Sequence, residues 1–370
     1  MKITKVEATC HSVPVKLPLL DKPVQDEFLM VRVETDEGIT GFGMGPRFMR
    51  FYTKEFINRQ LAPFVVGKDP LGTEMLWNRD AHAELGMHAS FYATSDLLRW
   101  GFGALDIALW DIKGKYLNQP VFRLLGGSSN RIPCYVTIGL SNYSREELAE
   151  VSRQFGKTGQ NSLKMQVSYT PGKNMIEEEA RVRVVREAMG EEGLLMVDAN
   201  DRFNFAQARE LSQRIERYNI GWFESPICMT THMSQMPALR RSTTIPMGHS
   251  GALPGRRWFY RNLIESGAVD ILQPNVVYVG GYTEALKIAH LAQAYNMPIA
   301  TGAGQPLYNM HLIAGVANGW MVECHYRHVL RDEVIYVKPP RFDHGWLTLP
   351  EKPGLGLEIN EAALTEFKEP

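Results

Sequence analysis

The sequence has few cysteines, no marked charge imbalance and no long apolar run. The four cysteines among its 370 residues lie far apart and form no C-x-x-C pair: Cys10, Cys134, Cys228 and Cys324. This distribution disfavours a disulfide-stapled secreted scaffold and a zinc ribbon, and favours reduced thiols. The 40 basic and 41 acidic side chains give a net charge of −1, which offers no electrostatic footprint for nucleic acid.

Membrane and secretory features are also missing. No apolar segment approaches the roughly 20 residues that cross a bilayer. The chain begins MKITKVEATC, which alternates like a strand and lacks the apolar core of a signal peptide. We therefore expect a cytoplasmic protein with no membrane partner. The length predicts about two domains, or one large barrel with an additional domain.

The first 125 residues pass from strand patterns to helical ones. Two alternating stretches precede residue 45, and the second contains DEG, a hairpin turn signal. The segment GFGMG lies on the returning strand and opens no helix, which argues against a phosphate loop. From Phe51 to Leu125 helical periodicity prevails. The clearest helix is TSDLLRWGFGALDIALWDIKGKYL, with Thr94 or Ser95 as its N-cap.

After Asn130 short apolar strands alternate with about seven helical stretches. The eight predicted strands are PCYVTIG, SLKMQV, LLMVDAN, IGWFESP, TIPMGH, VDILQPN, PIATGA and WMVECHY. This alternation predicts a parallel βα barrel. The last 45 residues return to a turn-rich, strand-like pattern, and we expect them to pack on the first domain.

One polar residue ends each of four successive barrel strands. The four residues are 25 or 26 positions apart: Asp198, Glu224, His249 and Asn275. Because the carboxyl ends of barrel strands meet at one mouth, these side chains should be neighbours. Buried carboxylates such as Asp198 and Glu224 need a partner. That partner is either a hard divalent cation, best matched by Mg²⁺, or an Arg or Lys across the barrel.

Six motifs, in order along essentially the whole chain, resemble the enolase superfamily and in particular its mandelate racemase/muconate lactonising branch. They are ALWDIKGK, LLGG, VDAN, WFESP, DILQPN followed by VGG, and PGLGLEIN. The resemblance implies an α/β fold: a capping α+β domain (1–127), a (β/α)7β TIM-like barrel (128–325) and a C-terminal segment that returns to the cap (326–370). It also implies removal of the proton α to a carboxylate, an enediolate held on Mg²⁺, a sugar-acid substrate and a homo-oligomer.

The same resemblance gives roles to four residues. Asp198 and Glu224 match the first two metal ligands of the family. Lys164 matches the first Lys of its K-x-K motif, which faces the substrate carboxylate. Glu323 matches the strand-eight Glu, which hydrogen-bonds the carboxylate or acts as an acid. A carbon acid beside a carboxylate is very weakly acidic, so a cation and a nearby Lys are needed to stabilise the charge that develops.

Four positions depart from the family pattern. The second Lys of K-x-K is Gln166, whose amide is not a useful base. The Asp and His of the strand-six and strand-seven dyad are Asn275 and Gly302. The third metal ligand, usually a carboxylate after strand five, is missing from IPMGHSGALPG. His249 is the best substitute there and would also suit Mn²⁺, although a neutral His bonded to the loop backbone is the alternative.

These departures leave proton transfer open. Lys164 is a candidate base if burial and the metal lower its pKa, while Gln166 and Asn275 would orient the substrate. Further candidates for proton transfer are Tyr169, Tyr278, His82 and His88, although each residue of this kind is more often a surface or packing residue. The cluster after strand eight either lines the mouth or faces solvent, and it comprises His325, Tyr326 and His328. The candidate substrate-binding residues are Arg47, Arg50, Asn200, Asp201 and Arg202. The charged ones are explained equally well as solvated surface residues.

The leading prediction is a metal-dependent lyase that dehydrates a sugar acid to a 2-keto-3-deoxy acid. Elimination needs one base and one acid, whereas racemisation needs a base on each face of the intermediate. Two alternatives stay open: a degenerate relative that binds a carboxylate ligand without turnover, and a racemase- or epimerase-type isomerase with non-standard bases. The cap loops from Leu17 to Phe28 and from Gly45 to Tyr52 are expected to set the specificity, and the sequence does not identify the substrate.

Overall fold

The computed structural model describes residues 1–77, 84–86, 95–139, 143–168, 174–249 and 255–370. Four residues considered above lie outside these ranges: His82, His88, Thr94 and Tyr169. Within the described ranges, no helix combines the length and the apolar character needed to cross a bilayer.

The N-terminal unit consists of an antiparallel sheet followed by helices. Its strands pair in the order β1 (Ile3–Val15), β2 (Val24–Thr35), β3 (Thr40–Gly45). The helices are α1 (Arg50–Phe56), α2 (Ala62–Val65), α3 (Asp96–Tyr116) and α4 (Val121–Leu124), with a π-helical turn at Ile57–Leu61 and a 3₁₀ turn at Thr73–Trp77.

Helix α3 is the long helix predicted from the sequence, and it packs against the sheet. Ser95 is its N-cap, and its side chain accepts a hydrogen bond from the backbone N–H three residues further on. The close packing depends on glycines in GFGMG. A Cβ atom at Gly41 would lie 2.2 Å from the carbonyl oxygen of Ala108, and one at Gly43 would lie 2.0 Å from that of Ala104. This glycine-rich segment is therefore a strand that approaches a helix closely.

Eight parallel strands form the closed barrel that the sequence predicts. Each pairs with the next in chain order, and the last pairs with the first. They are β4 (Arg131–Gly139), β5 (Ser162–Gln166), β6 (Leu194–Asp198), β7 (Ile220–Glu224), β8 (Met247–His249), β9 (Ile271–Leu272), β10 (Ile299–Ala300) and β11 (Gly319–His325).

Helices cover the outside of the barrel, and an apolar cluster fills the lower part of its interior. The helices are α5 (Arg145–Lys157), α6 (Met175–Met189), α7 (Phe205–Ile215), α8 (Met229–His232), α9 (Met236–Arg241), α10 (Arg257–Glu265), α11 (Val276–Val279), α12 (Gly281–Ala294), α13 (Pro306–Gly315) and α14 (Tyr326–Ile335), with 3₁₀ turns at Glu216–Tyr218 and Met233–Gln235. The interior cluster comprises Tyr135, Met196, Trp222, Ile271, Ala300 and Met321. Inward-facing polar residues therefore collect near the carboxyl ends of the strands.

The C-terminal segment contacts both the barrel and the first sheet. It contains β12 (Phe342–Asp343), β13 (Trp346–Thr348) and α15 (Glu361–Glu366), and β13 pairs with β4. Its end lies against β1, where Ser12 N donates to Phe367 O at 3.0 Å and Glu369 N donates to Cys10 O at 2.8 Å. The boundaries 1–127, 128–325 and 326–370 stay predictions.

Candidate active site

Strand alternation sends polar side chains into the upper barrel, two residues above the apolar cluster. Asp198 follows Met196 in this way, Glu224 follows Trp222 and Glu323 follows Met321. These carboxylates line a cavity of about 180 Å³ at the carboxyl ends of the strands. Other residues predicted for the site share this lining: Arg47, Lys164, Gln166 and Asn200.

The Lys164 ammonium lies at the centre of three carboxylates. Its Nζ atom is 2.7 Å from Glu224 Oε2, 2.9 Å from Glu323 Oε1 and 3.6 Å from Asp198 Oδ2. The lysine and all three acids are buried. The four groups carry a net charge of −2 when all are ionised, so this buried cluster favours an additional cation.

The electrostatics keep the proton on Lys164. Burial alone would lower the pKa of Lys164, but the charges of Glu224 and Glu323 outweigh it and hold that pKa well above its ordinary value. Burial, reinforced by the charge of Glu224, raises the pKa of Asp198 above its usual range. Lys164 is therefore an ammonium in this arrangement, where burial alone does not make it a base. A base role that depends on a bound metal stays a prediction.

Glu224 and Asp198 are paired across β6 and β7 and have oxygen atoms suited to a cation. Glu224 Oε2 accepts hydrogen bonds from Lys164 Nζ and from Gln273 Nε2, the latter at 2.8 Å. Its other oxygen, Oε1, is buried and has no hydrogen-bond partner among the described residues. A buried carboxylate oxygen without a donor is costly, and a cation is its natural partner.

Glu323 accepts several hydrogen bonds in the cavity. Its carboxylate accepts from the Thr137 hydroxyl and from Gly304 N, the latter at 2.6 Å, in addition to its contact with Lys164. Burial opposes ionisation, but Lys164 and the other donors outweigh it and lower the pKa of Glu323. Its role toward a substrate, as a hydrogen-bond partner or as an acid, stays a prediction.

His249 is on the wrong face of its strand to join Asp198 and Glu224. In β8 it is Gly248 that faces the barrel interior, where an added Cβ would lie 2.4 Å from Gln273 Oε1. The His249 ring instead packs on Phe259 at 5.3 Å, with Nδ1 3.4 Å from Ser225 Oγ. The structure thus does not support the prediction of His249 as a metal ligand. Across the described ranges no three His, Cys, Asp or Glu side chains form a group that could hold a metal ion.

The side chain of Asn275 is hydrogen-bonded to backbone groups. Its Nδ2 donates to the carbonyls of Gly302 at 2.7 Å and Gly304 at 2.9 Å, and its Oδ1 accepts from Val277 N at 3.0 Å. The side chain is fully buried. Its predicted role in orienting the substrate is corrected, because it fastens the loop after β10 to the end of β9.

The two arginines of the cap loop have different roles. Arg50 donates from Nε and Nη2 to the carboxylate of Glu369 at 2.7 and 2.9 Å and reaches Glu27 at 3.0 Å. It therefore fastens the C-terminus to the cap, which corrects its assignment to the substrate. Arg47 lines the cavity, with its guanidinium 4.6 Å from the Phe48 ring centroid.

Only part of the turn after β6 reaches the cavity. Asn200 and Asp201 both have positive φ, at 48° and 61°, and Asn200 N donates to Asp198 Oδ1 at 2.8 Å. Asn200 contributes to the cavity wall. Asp201 and Arg202 are exposed and do not appear among the described residues that line it.

A histidine pair after Glu323, which the sequence left open as mouth lining or solvent-facing surface, lies on the cavity wall. His325 and His328 both line the cavity, and their rings stack with centroids 4.9 Å apart and 27° between planes. Burial lowers the pKa of His325 to about 3, so its imidazole is neutral near pH 7. His325 is two residues beyond Glu323 on the same strand, and that spacing was a usable signal. Further lining residues outside the predicted set are Phe48, Thr137, Tyr278, Ala303 and Arg327.

A barrel with buried carboxylates at its mouth and an antiparallel sheet before it defines an enolase-type protein. Family profiles agree: residues 146–363 match the enolase C-terminal domain-like family, and residues 1–126 match the mandelate racemase/muconate lactonizing enzyme N-terminal domain. The chain belongs to the mandelate racemase/muconate lactonizing enzyme branch of the enolase superfamily.

Individual relatives span nearly the whole chain. An arabinonate dehydratase of Saccharolobus solfataricus is 30% identical over 351 residues, covering 92% of this chain and 91% of that protein. The 3,6-anhydro-D-galactonate cycloisomerase from Zobellia galactanivorans is 31% identical, with a TM-score of 0.86 and full coverage of both chains. A mandelate racemase/muconate lactonizing enzyme from a marine actinobacterium, solved in complex with magnesium, is 26% identical, with a TM-score of 0.88 over 100% of this chain and 99% of that one.

Proposed function

We propose that the protein is a metal-dependent lyase that removes the proton α to a carboxylate and eliminates water from a sugar acid, giving a 2-keto-3-deoxy acid. The observation that carries the proposal is the Lys164 ammonium held among Asp198, Glu224 and Glu323 at the base of the cavity. This cluster offers a fixed positive charge to a substrate carboxylate and oxygen ligands to a cation. The similarity to an arabinonate dehydratase supports the same class of substrate.

Asp198 and Glu224 would hold the cation, for which we propose Mg²⁺. The unpartnered Oε1 of Glu224 and the raised pKa of Asp198 both fit a cation at this position. Mg²⁺ commonly binds through one or two carboxylates and keeps several waters, so two protein ligands are sufficient. A bound divalent cation withdraws negative charge from a substrate carboxylate and so makes the adjacent C–H bond more acidic. The magnesium complex of a related protein supports this choice.

The chain's own residues would bind and orient the substrate. Lys164 donates to the substrate carboxylate, since its ammonium lies beside the two proposed metal ligands. Gln166, in register with Asp198 and on the cavity wall, presents an amide that can hydrogen-bond substrate hydroxyls. Arg47 reaches the cavity from the cap and supplies a second cation for a carboxylate or hydroxyl at the far end of the substrate.

Ring opening is a second candidate function, and the similarity to a cycloisomerase favours it. The chemistry differs only in the leaving group. After the α-proton is removed, the C–O bond at the β-carbon breaks. In a dehydration this oxygen departs as water. In a ring opening it belongs to the ring, so it stays attached to the product as a hydroxyl group. The same Lys164 and the same cation site serve both reactions, so the cap loops would decide between them.

The test is proton NMR in D₂O with purified protein, Mg²⁺ and a panel of acyclic sugar acids, their lactones and their anhydro derivatives. A new methylene signal with loss of an acyclic acid would support dehydration, and one from a cyclic acid would support ring opening. Deuteration of the α-carbon without elimination would replace the proposal by an isomerase. Silence across the panel would favour a binding protein without turnover.

A cation titration provides the matched control. We expect Mg²⁺ to raise the thermal midpoint of the wild-type protein and of Asp36→Asn, because Asp36 is an exposed cap residue. The Asp198→Asn variant should lose this response, since it removes one of the two proposed ligands. An unchanged response in Asp198→Asn would contradict the proposed metal site.

A further inference from the structure

The usual base positions of the family are Gln166 and Gly302 here, so the proposed elimination needs a proton acceptor from elsewhere. Several cavity residues are unsuited to it. The Lys164 Nζ atom already contacts three carboxylates. The Glu323 carboxylate already accepts hydrogen bonds from Lys164, Thr137 and Gly304. Burial raises the pKa of Tyr278 to about 12, so its phenol keeps its proton.

His325 is on the side of the cavity where a base is required. The proposed metal ligands are on β6 and β7, whereas His325 ends β11. In the closed barrel β11 neighbours β10, whose end carries Gly302. A substrate held between these walls would therefore present its α-carbon between the carboxylates of β6 and β7 and the imidazole of His325.

The neighbouring His328 orients this imidazole. Gln305 N donates to His328 Nδ1 at 3.2 Å, which leaves the proton of a neutral His328 on Nε2. The Nε2 atom is 3.7 Å from Asp26 Oδ1, which is too far for a hydrogen bond, and that buried carboxylate also faces Arg327 Nε at 3.4 Å and Arg331 Nη1 at 3.5 Å. The contact from Gln305 N and the stacking on His325 are therefore what hold the His328 ring.

The loop after β10 stores strain in order to make this contact. Three consecutive residues have positive φ: Ala303 at 59°, Gly304 at 74° and Gln305 at 62°. A Cβ at Gly304 would lie 2.1 Å from His328 Nδ1, so only glycine allows the ring to approach. Strain of this kind persists where the surroundings enforce it, and it clusters at functional sites. Here it aims one backbone N–H at His328 and another at Glu323.

We propose that His325 is the general base that removes the α-proton, with His328 as a positioning residue. This inference rests on the proposed function. The imidazole takes the proton from the α-carbon, and the electron pair of the C–H bond stays on the substrate. The C–O bond at the β-carbon then breaks, and the departing hydroxide takes the proton from the imidazolium. Water leaves, the enol becomes the keto acid, and His325 is neutral again, so no oxidant or further reactant is needed.

His325 is neutral in the free protein, because burial lowers its pKa to about 3, and at that value it is a weak base. A substrate carboxylate in the cavity adds negative charge near the ring, which raises the proton affinity of His325 when substrate is bound. One group that first accepts and then returns a proton serves an elimination in which hydrogen and hydroxyl leave from the same face.

The experiment compares wild type, His325→Asn, His325→Ala and His290→Asn, where His290 is an exposed histidine on α12. With a substrate found by the D₂O assay, α-proton exchange and keto-acid formation are measured at saturating Mg²⁺. General-base catalysis contributes on the order of 10² to 10⁴ in rate, so we expect His325→Asn to slow exchange about 1000-fold. Substrate affinity, measured by calorimetry, should change less than about threefold, and added imidazole should restore part of the rate of His325→Ala, which a merely structural role would not produce.

The possible outcomes separate the two proposals. Exchange within about tenfold of wild type in both His325 variants would overturn the assignment of the base and leave the lyase intact. Loss of rate together with loss of substrate affinity, without rescue by imidazole, would make His325 a binding residue and equally overturn the assignment. A wild-type protein that shows neither exchange nor elimination would overturn the proposed function itself. His290→Asn should behave as wild type throughout.

Discussion

Replacing Lys164 by Met tests whether the site depends on charge compensation. The substitution keeps most of the side-chain volume and removes an ammonium that lies 2.7, 2.9 and 3.6 Å from three carboxylate oxygens. Breaking a buried ion pair by removing one partner costs about 3–5 kcal/mol, because the other charge is left buried. We therefore expect Lys164→Met to lower the free energy of unfolding by about that amount at pH 8, and to abolish turnover.

The matched control is Lys287→Met. Lys287 also contacts two carboxylates, Glu74 at 2.8 Å and Glu284 at 3.0 Å, but its side chain is 29% exposed. Exposed pairs are worth about 0–1 kcal/mol, so this variant should be nearly as stable as wild type. Urea titrations of the three proteins measure the difference.

The pH dependence of the free energy of unfolding provides a second test of Lys164→Met. Burial already raises the pKa of Asp198 above its value in the unfolded chain, and loss of the Lys164 charge raises this pKa further. The folded variant then binds more protons than the unfolded chain, so its stability falls as the pH rises. The deficit of Lys164→Met should be smaller at pH 6 than at pH 8, and Mg²⁺ should reduce it at pH 8. A deficit no larger than that of Lys287→Met, or one that is the same at both pH values, would refute the reasoning.

Three further expectations follow from the corrected site. Burial lowers the pKa of His249 to about 4 from 6.5, so the unfolded chain binds the extra proton between these values and stability is lost as the pH falls through this window. His249→Asn should flatten that loss in denaturation curves and leave Mg²⁺ affinity unchanged; lost affinity would reinstate His249 as a ligand. Asn275→Asp should supply no base and should destabilise the fold by about 1–3 kcal/mol, since a carboxylate cannot donate to the two loop carbonyls; a stable variant with faster proton exchange would contradict this. Arg47→Ala should raise KM about tenfold or more, in line with loss of a charged hydrogen bond, whereas Arg50→Ala should lower the thermal midpoint by freeing Glu369 and leave KM unchanged. Equal effects on KM would show that the two arginines are not divided in this way.

The fold could be predicted because its signals are local and repeated. All eight barrel strands and the long helix α3 lie where apolar patterning predicts them. The convergence of Asp198 and Glu224 could also be predicted, since each ends a strand and the βα repeat places such residues at one mouth. Lys164 was identified through the family resemblance.

His249 shows where spacing reasoning needs a second check. In the pairing of β7 with β8, Glu224 is opposite Gly248, so the next residue, His249, is on the other face of the strand. Chain intervals between strands do not carry this information, because the intervening loops and helices differ in length. Only the pairing register shows that His249 packs outward, as it does on Phe259.

Arg50 and Asn275 could not have been assigned from sequence. Arg50 binds Glu369, which is 319 residues away, and no local pattern records such a contact. The Asn275 side-chain amide donates both of its hydrogen bonds to carbonyl groups of the loop after β10, one βα unit further along the chain. In both cases the residue type suits a ligand, and only the tertiary contacts show that its hydrogen-bonding groups are already used.

The departures at β10 and the histidines at β11 are physically connected. Gly302 and Gly304 contribute no side chains to the loop after β10, and Ala303 and Gln305 have positive φ values that most residues adopt with strain. A side chain at 304 would occupy the space of the His328 ring. The loop after β10 therefore has room either for a side chain that acts as the base or for the His328 ring stacked on His325. Loss of the usual base and the presence of a histidine on the next strand are best understood as one rearrangement of the cavity wall.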